Sequence, residues 1–174
     1  AADVLSRVRQ DSAYGPAARV RLSLMLDRLD RTDAAIGELE ALAAADPTRA
    51  EPLARMGDIL RGRSRFAEAA AAYNRAVARL GPPERRQWAL YYARGIALER
   101  AKDWPRAEAD FLRALELAPD QPYVLNYLGY SWVEQGRELA RAKRMIERAV
   151  ELRPHDGHIV DSLGWVLFRM GDYR

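Results

Sequence analysis

Apolar residues recur along this chain three and four positions apart, and strict alternation is absent. Between Trp88 and Arg100 they fall at Trp88, Tyr91, Tyr92 and Ile96, with the small Gly95 on the same helix. A polar break, Lys102-Asp103, follows. The next stretch, Trp104 to Leu117, sets Ala107, Phe111, Ala114 and Leu117 on one stripe. This spacing predicts amphipathic helices. Pro119 cannot continue a helix and marks the stop; Pro47, Pro154 and Gly81-Pro82-Pro83 do the same elsewhere. The chain reads as all-α, with about ten helices and short loops.

The helices come in repeats. The small residue inside alternate apolar stretches falls at Ser23, Gly57, Gly95, Gly129 and Gly164, with spacings of 34, 38, 34 and 35. The alanine opening the following stretch falls at Ala35, Ala69, Ala107 and Ala142, with spacings of 34, 38 and 35. Both series lengthen by four around Pro82-Pro83-Glu84-Arg85 and by one between Gly129 and Ala142. Two independent markers stretching together identify a repeat. Its packing logic follows. A helix pair cannot bury both apolar faces alone, so pairs stack. Gly57, Gly95, Gly129 and Gly164 admit a close neighbour, and Tyr73, Phe111 and Ile146 fill the volume beyond the alanines.

These units resemble the tetratricopeptide repeat (TPR), whose signature is a large residue, Leu-Gly, Tyr, then Ala, Phe and Pro. The third unit offers Tyr91, Gly95, Leu98, Ala107, Phe111 and Pro119. The fourth offers Leu125, Leu128-Gly129, Trp132, Ala142, Ile146 and Pro154. The second offers Leu53, Met56-Gly57, Leu60, Ala69 and Tyr73, and the first Leu22-Ser23, Leu26, Ala35, Leu39 and Pro47. The resemblance implies a right-handed superhelical α-solenoid of antiparallel helix pairs, one array over 1–174. Its expected parts are a remnant second helix at 1–14, repeats at 15–49, 50–83, 84–121 (with the insertion) and 122–156, and a half repeat at 157–174. The missing initial Met and the half repeat read as a piece or processed form of a longer protein, expected to continue past Arg174. The open face of the last helix is expected to meet a substitute, such as a second copy of the chain.

By the same resemblance, the first helix of each pair lines a concave groove that holds a peptide or partner protein. The family pattern turns Val20, Leu24 and Arg28 inward, then Ala54, Asp58 and Arg61, then Tyr92, Ile96 and Glu99. Tyr123, Asn126 and Tyr130 follow from the fourth unit, and Asp161, Trp165 and Arg169 from the fifth. The candidate binding residues are Tyr92, Ile96, Tyr123, Asn126, Tyr130, Asp161 and Trp165. Aromatic rings with polar tips are favoured anchors, and Asn126 has the groups to bond a peptide backbone. Tyr127 and Trp132 are expected to pack between units instead. No first helix carries a Lys, so the carboxylate clamp of some family members is not carried over. The segments Leu125–Trp132 and Ile159–Leu167 are similar to bacterial envelope TPR lipoproteins that act as protease adaptors, a resemblance that favours a scaffold in the periplasm or cell envelope over the alternative, a related cytoplasmic TPR protein.

Composition narrows the chemistry further. The chain has no Cys, which removes disulfides, thiolate metal sites and cysteine nucleophiles. Lys102 and Lys143 are the only lysines, and the other 26 basic residues are Arg. The net charge is +3, modest for a protein that tracks phosphates. An RNA-binding array is the alternative reading, with Arg21, Arg28, Arg55, Arg61, Arg94 and Arg100 as a basic stripe. Asp27, Glu51, Asp58, Glu99, Glu134 and Asp161 share or flank that face and oppose it. His155 and His158 lack the further ligands a metal site needs. His158, Asp161 and Ser162 fall within one helical turn, with no oxyanion hole suggested. No phosphate-binding glycine loop is present. The expectation is a non-enzymatic scaffold without cofactor or metal, with nucleic acid disfavoured and no membrane-spanning stretch.

Overall fold

The computed structural model describes Val4, Leu5, Arg7, Val8, Ser12 and residues 14–172. Among these residues are nine α-helices and no strand. They are α1 (Gly15–Arg28), α2 (Thr32–Ala45), α3 (Glu51–Gly62), α4 (Phe66–Ala78), α5 (Trp88–Arg100), α6 (Trp104–Leu117), α7 (Pro122–Glu134), α8 (Leu139–Leu152) and α9 (Gly157–Met170). The tenth helix, expected over 1–14, lies largely outside the described residues. The contacts sort the chain into two units. One holds the residues up to Pro83 with Ala93–Ala107; the other holds Glu84–Tyr92 with the residues from Glu108 on. In the first unit α1 packs on α2, α2 on α3 and α3 on α4, while α1 also reaches α3. In the second, α7 packs on α8, α8 on α9, and α9 also reaches α7.

The first helix of each pair ends in one recurring turn. Asp30, Ser64, Lys102, Gly136 and Gly171 have φ of 57°, 58°, 69°, 66° and 75°. Each lies seven residues beyond its small marker, so the turns repeat the spacings 34, 38, 34 and 35. The next N–H, of Arg31, Arg65, Asp103, Arg137 and Asp172, donates to the carbonyl of Leu26, Leu60, Leu98, Trp132 and Leu167 at 2.8–3.0 Å. This left-handed closure satisfies carbonyls that the helix end leaves orphaned. The two irregular spacings have local causes. Glu138, at φ 51°, is the one extra residue before α8. The four-residue insertion coincides with a three-residue 3₁₀ turn, Arg85–Gln87, and its N-cap Glu84, ahead of α5. Its cap is reciprocal: the Glu84 N–H donates to Gln87 Oε1 at 3.0 Å, and the Gln87 N–H to the Glu84 carbonyl at 3.0 Å.

Packing inside the pairs turns on the small markers. A Cβ added at Gly57 would stand 2.5 Å from the Tyr73 ring, and one at Gly129 2.9 Å from Ile146 Cγ1 and 3.2 Å from the Ala142 carbonyl. Tyr73 cannot step aside. It is buried, its hydroxyl donates to Asp58 Oδ1 at 2.8 Å, and Arg61 Nε donates to that hydroxyl at 3.3 Å. In the first pair Ser23 takes the marker's place, fully buried, with its hydroxyl donating to the Val20 carbonyl at 2.7 Å. At Gly164, by contrast, an added Cβ would meet nothing within 4 Å.

The contrast predicts opposite outcomes for one substitution. Gly57→Ala should destabilise the chain by ~1–3 kcal/mol through overpacking. Gly164→Ala should be neutral or stabilising by up to about 1 kcal/mol, since Ala outranks Gly inside a helix. Urea unfolding followed by circular dichroism measures both; equal destabilisation would contradict this packing.

Candidate functional site

The candidate site lies on α7 and α9 of the second unit. Pro122 starts α7 with a φ suited to a first turn. Val124, Leu125, Leu128, Trp132 and Val133 bury its inner side. That leaves Tyr123, Asn126 and Tyr130 together on another stripe. Tyr123 is exposed, with the Arg153 guanidinium 5.5 Å from its ring centre. Tyr130 is 39% exposed. Asn126, half-buried between them, has an Oδ1 shielded from solvent with no hydrogen-bond partner. Such an unmade bond costs ~1–3 kcal/mol.

Helix α9 contributes a second stripe. Ile159, Ser162 and Val166 face inward, which turns Asp161, Trp165 and Arg169 outward. Trp165 is 36% exposed. Its indole N–H donates to Glu134 Oε1 of α7 at 2.6 Å. The Arg169 guanidinium lies 5.7 Å from the Trp165 ring and 3.9 Å from Glu134. Phe168 stacks on Trp165, with ring centres 5.4 Å apart. The Trp165–Glu134 bond thus ties the two stripes together, with the Glu134 and Arg169 charges offsetting each other. Arg153 and Phe168 were not among the residues singled out from sequence. Arg153 follows the end of α8, outside any helical phase, and Phe168 differs by one residue from Arg169, which the family pattern turns toward the groove.

The other aromatic residues are used for packing. Trp132 is 1% exposed and donates its indole N–H to Glu108, while Arg141 lies over its ring at 4.8 Å. Tyr92 belongs to a four-ring cluster, 6.1 Å from Trp88, 6.1 Å from Phe111 and 6.0 Å from Tyr127. Phe111 and Tyr127 are 5.1 Å apart. Ile96 is half-buried and belongs to the first unit. The structure therefore brings Tyr123, Asn126, Tyr130, Asp161 and Trp165 onto two adjoining helices, and builds Tyr92 into a ring cluster.

The first unit consumes much of its own charge. Arg55 lies 3.7 Å and Arg61 3.9 Å from Asp58. Burial pushes the Tyr73 phenol above its ordinary range, and the adjacent Asp58 carboxylate adds to that. Arg94 donates to Asn74 Oδ1 at 3.2 Å, and the Arg100 guanidinium lies 4.9 Å over Phe66. Arg21 and Arg28 are exposed. In the second unit, Ser162 donates its hydroxyl back to the His158 carbonyl at 2.9 Å. No cluster of three or more His, Asp or Glu suited to a metal ion occurs among the described residues. No helix among them is long and apolar enough to cross a membrane.

Comparison with known proteins agrees with this repeat architecture. The family model described as tetratricopeptide repeat matches residues 55–122. No curated protein matches it by sequence. Among solved structures, it is similar to a chain of the APC/C hetero-tetramer Cut9-Hcn1, with 15% identity and a TM-score of 0.73, covering 87% of this chain but only 30% of that one. It is similar to YrrB, a TPR protein with an unusual peptide-binding site, at 16% identity and a TM-score of 0.75, covering 100% of this chain and 87% of that one. It is also similar to MamA from Desulfovibrio magneticus RS-1, at 19% identity and a TM-score of 0.76, covering 90% and 86%. Identities this low establish the fold alone: an all-α helix-pair repeat.

Exposure separates the packing aromatics from the candidate anchors. Trp132→Ala should cost ~3–5 kcal/mol of stability. Tyr130→Ala should cost under about 1 kcal/mol, as a surface change does. Denaturant midpoints of the two variants test this, and a comparable loss at Tyr130 would make it a packing residue.

Proposed function

We propose that this chain is a scaffold whose second unit holds an extended peptide segment of a partner protein across α7 and α9. One observation carries the reading. Two exposed tyrosines flank an asparagine whose side-chain oxygen lacks a partner, beside a tryptophan already fixed by Glu134. A peptide backbone arriving between Tyr123 and Tyr130 supplies the missing donor once the Asn126 carboxamide turns toward it. The rings and Trp165 supply contact area at little cost in side-chain freedom. The similarity to a TPR protein with a peptide-binding site supports this use of the fold.

The mechanism is preorganisation. Trp165 is held by a hydrogen bond and two ring contacts, and Tyr123 by a cation over its face. The ligand then bears most of the ordering entropy, and the scaffold little. Charge contributes less, because Glu134 and Arg169 offset each other. A binding mode built on rings should tolerate salt, whereas a phosphate-tracking array should weaken steeply with it.

The test is retention of proteins from fractionated lysate by the immobilised chain, with and without nuclease, against the variant Tyr130→Ala/Trp165→Ala. Each substitution should weaken the retained partner by ~1–3 kcal/mol if it removes a binding anchor. A partner retained equally by the double variant, or retention of nuclease-sensitive material alone, would overturn the reading.

A further inference from the structure

Several cations of the second unit are committed to carboxylates of the chain. Arg113 lies 2.6 Å from Glu116, and Arg148 lies 3.0 Å from Asp120 and 2.8 Å from Glu151. Arg137 and Arg169 pair more loosely, at 3.7 Å from Glu108 and 3.9 Å from Glu134. Arg153 is different. It is exposed, and its guanidinium lies over the Tyr123 ring. Among the described residues no carboxylate pairs with it, and no hydrogen bond leaves its side chain. An aromatic face attracts a guanidinium through the ring quadrupole and leaves its N–H edges to other acceptors.

The base of that side chain is fixed. Arg153 follows the end of α8, where its N–H donates to the carbonyls of Ala149 at 2.9 Å and Val150 at 3.2 Å. Its own carbonyl accepts the Asp156 N–H at 3.1 Å, and Pro154 follows it in the chain. The residue is thus held by its backbone at one end and by the ring at the other, with its donor edge open. Such a fork matches a carboxylate, which it binds through two parallel bonds. Held beforehand, it loses little freedom when the anion arrives.

We propose that the peptide segment held by the second unit carries an acidic side chain, Asp or Glu, whose carboxylate seats on Arg153 beside Tyr123. The proposal rests on the peptide reading and deepens it. Asn126 lies three residues beyond Tyr123, or ~4.5 Å along the helix axis. One stretch of ligand therefore offers its backbone to Asn126 and its carboxylate to Arg153. Ring surface flanks Asn126 on both sides, at Tyr123 and Tyr130. A segment using both rings runs past Asn126 in both directions, which favours a side chain within it over a chain end. Charge on α9 restricts where the acidic residue sits. Asp161 and Trp165 fall 35 residues after Asn126 and Tyr130, the spacing of this repeat. Asp161 is exposed and repels a carboxylate placed beside it. An acidic residue is thus attracted at the Tyr123 end and opposed along α9, and the ligand takes one register.

Selection from a random peptide library on phage, against the immobilised 174-residue chain, tests the proposal. The peptides are joined to the coat protein at their C-terminal ends, so none offers a terminal carboxylate. Enriched sequences should hold Asp or Glu at one fixed position. Against Arg153→Glu that position should turn to Lys or Arg, a reversal that a merely structural role does not produce. One enriched peptide, made with an amidated C-terminus, gives the magnitude. Arg153→Ala should weaken its binding about threefold to tenfold, and so should replacing its acidic residue by the amide. Both changes together should cost no more than either alone, as for two groups that meet. Circular dichroism checks that each variant is folded. Enriched peptides that depend on Tyr130 and Trp165 but show no acidic preference, or one indifferent to Arg153→Glu, overturn the proposal and leave the peptide reading standing. A library from which nothing is enriched overturns both.

Discussion

The structure depends on a helix backbone standing directly against a neighbour's side chain. At Gly57 the neighbour is the Tyr73 ring, and at Gly129 it is Ile146 together with the Ala142 carbonyl. These contacts set how close the helices of a pair can come. That distance decides how completely Leu53, Leu60, Leu125 and Leu128 are covered. Interiors are packed at crystal-like density, so a gap of one methyl group here is felt along the whole pair. The contact also explains why a tyrosine is tolerated in so tight a place. Its ring fills the volume, while its hydroxyl reaches Asp58 and Arg61 near the helix surface.

Much of this was legible in the sequence because the repeat multiplies each signal. A lone Gly57 would mean little, but five small markers at near-constant spacing define both helices and their contact face. The left-handed turns were not read, although they follow the same spacing. Only Gly136 and Gly171 occupy them with glycine, and Asp30, Ser64 and Lys102 carry no comparable mark. Asp and Ser are common in loops for several reasons, and a lysine at φ 69° gives no hint at all. The backbone hydrogen bond from the next residue holds each in place, and no side chain reports it.

The candidate site was legible in part, for a related reason. Helical phase separated Trp132, which is buried, from Tyr130 and Trp165, which are not. Phase could not foresee that Tyr92 would meet Phe111 and Tyr127, because those rings come from two other helices. Nor could it show that Glu134 would serve the Trp165 indole. In the sequence Glu134 is one acidic residue among many. In the structure it joins α7 to α9 and offsets Arg169.

These pairings bear on how a partner is chosen. Where Arg and Asp or Glu satisfy each other on the protein, incoming charge gains little, since it must compete with a bond already made. Arg55 and Arg61 with Asp58, and Arg169 with Glu134, are in that condition. What remains on α7 is exposed ring surface and the unpaired Asn126 oxygen, neither of which a phosphate would satisfy. A carboxamide oxygen accepts hydrogen bonds, and an extended peptide backbone offers donors at regular spacing. Offset charge beside open ring surface is thus the feature on which the proposed protein ligand rests, and it owes nothing to resemblance.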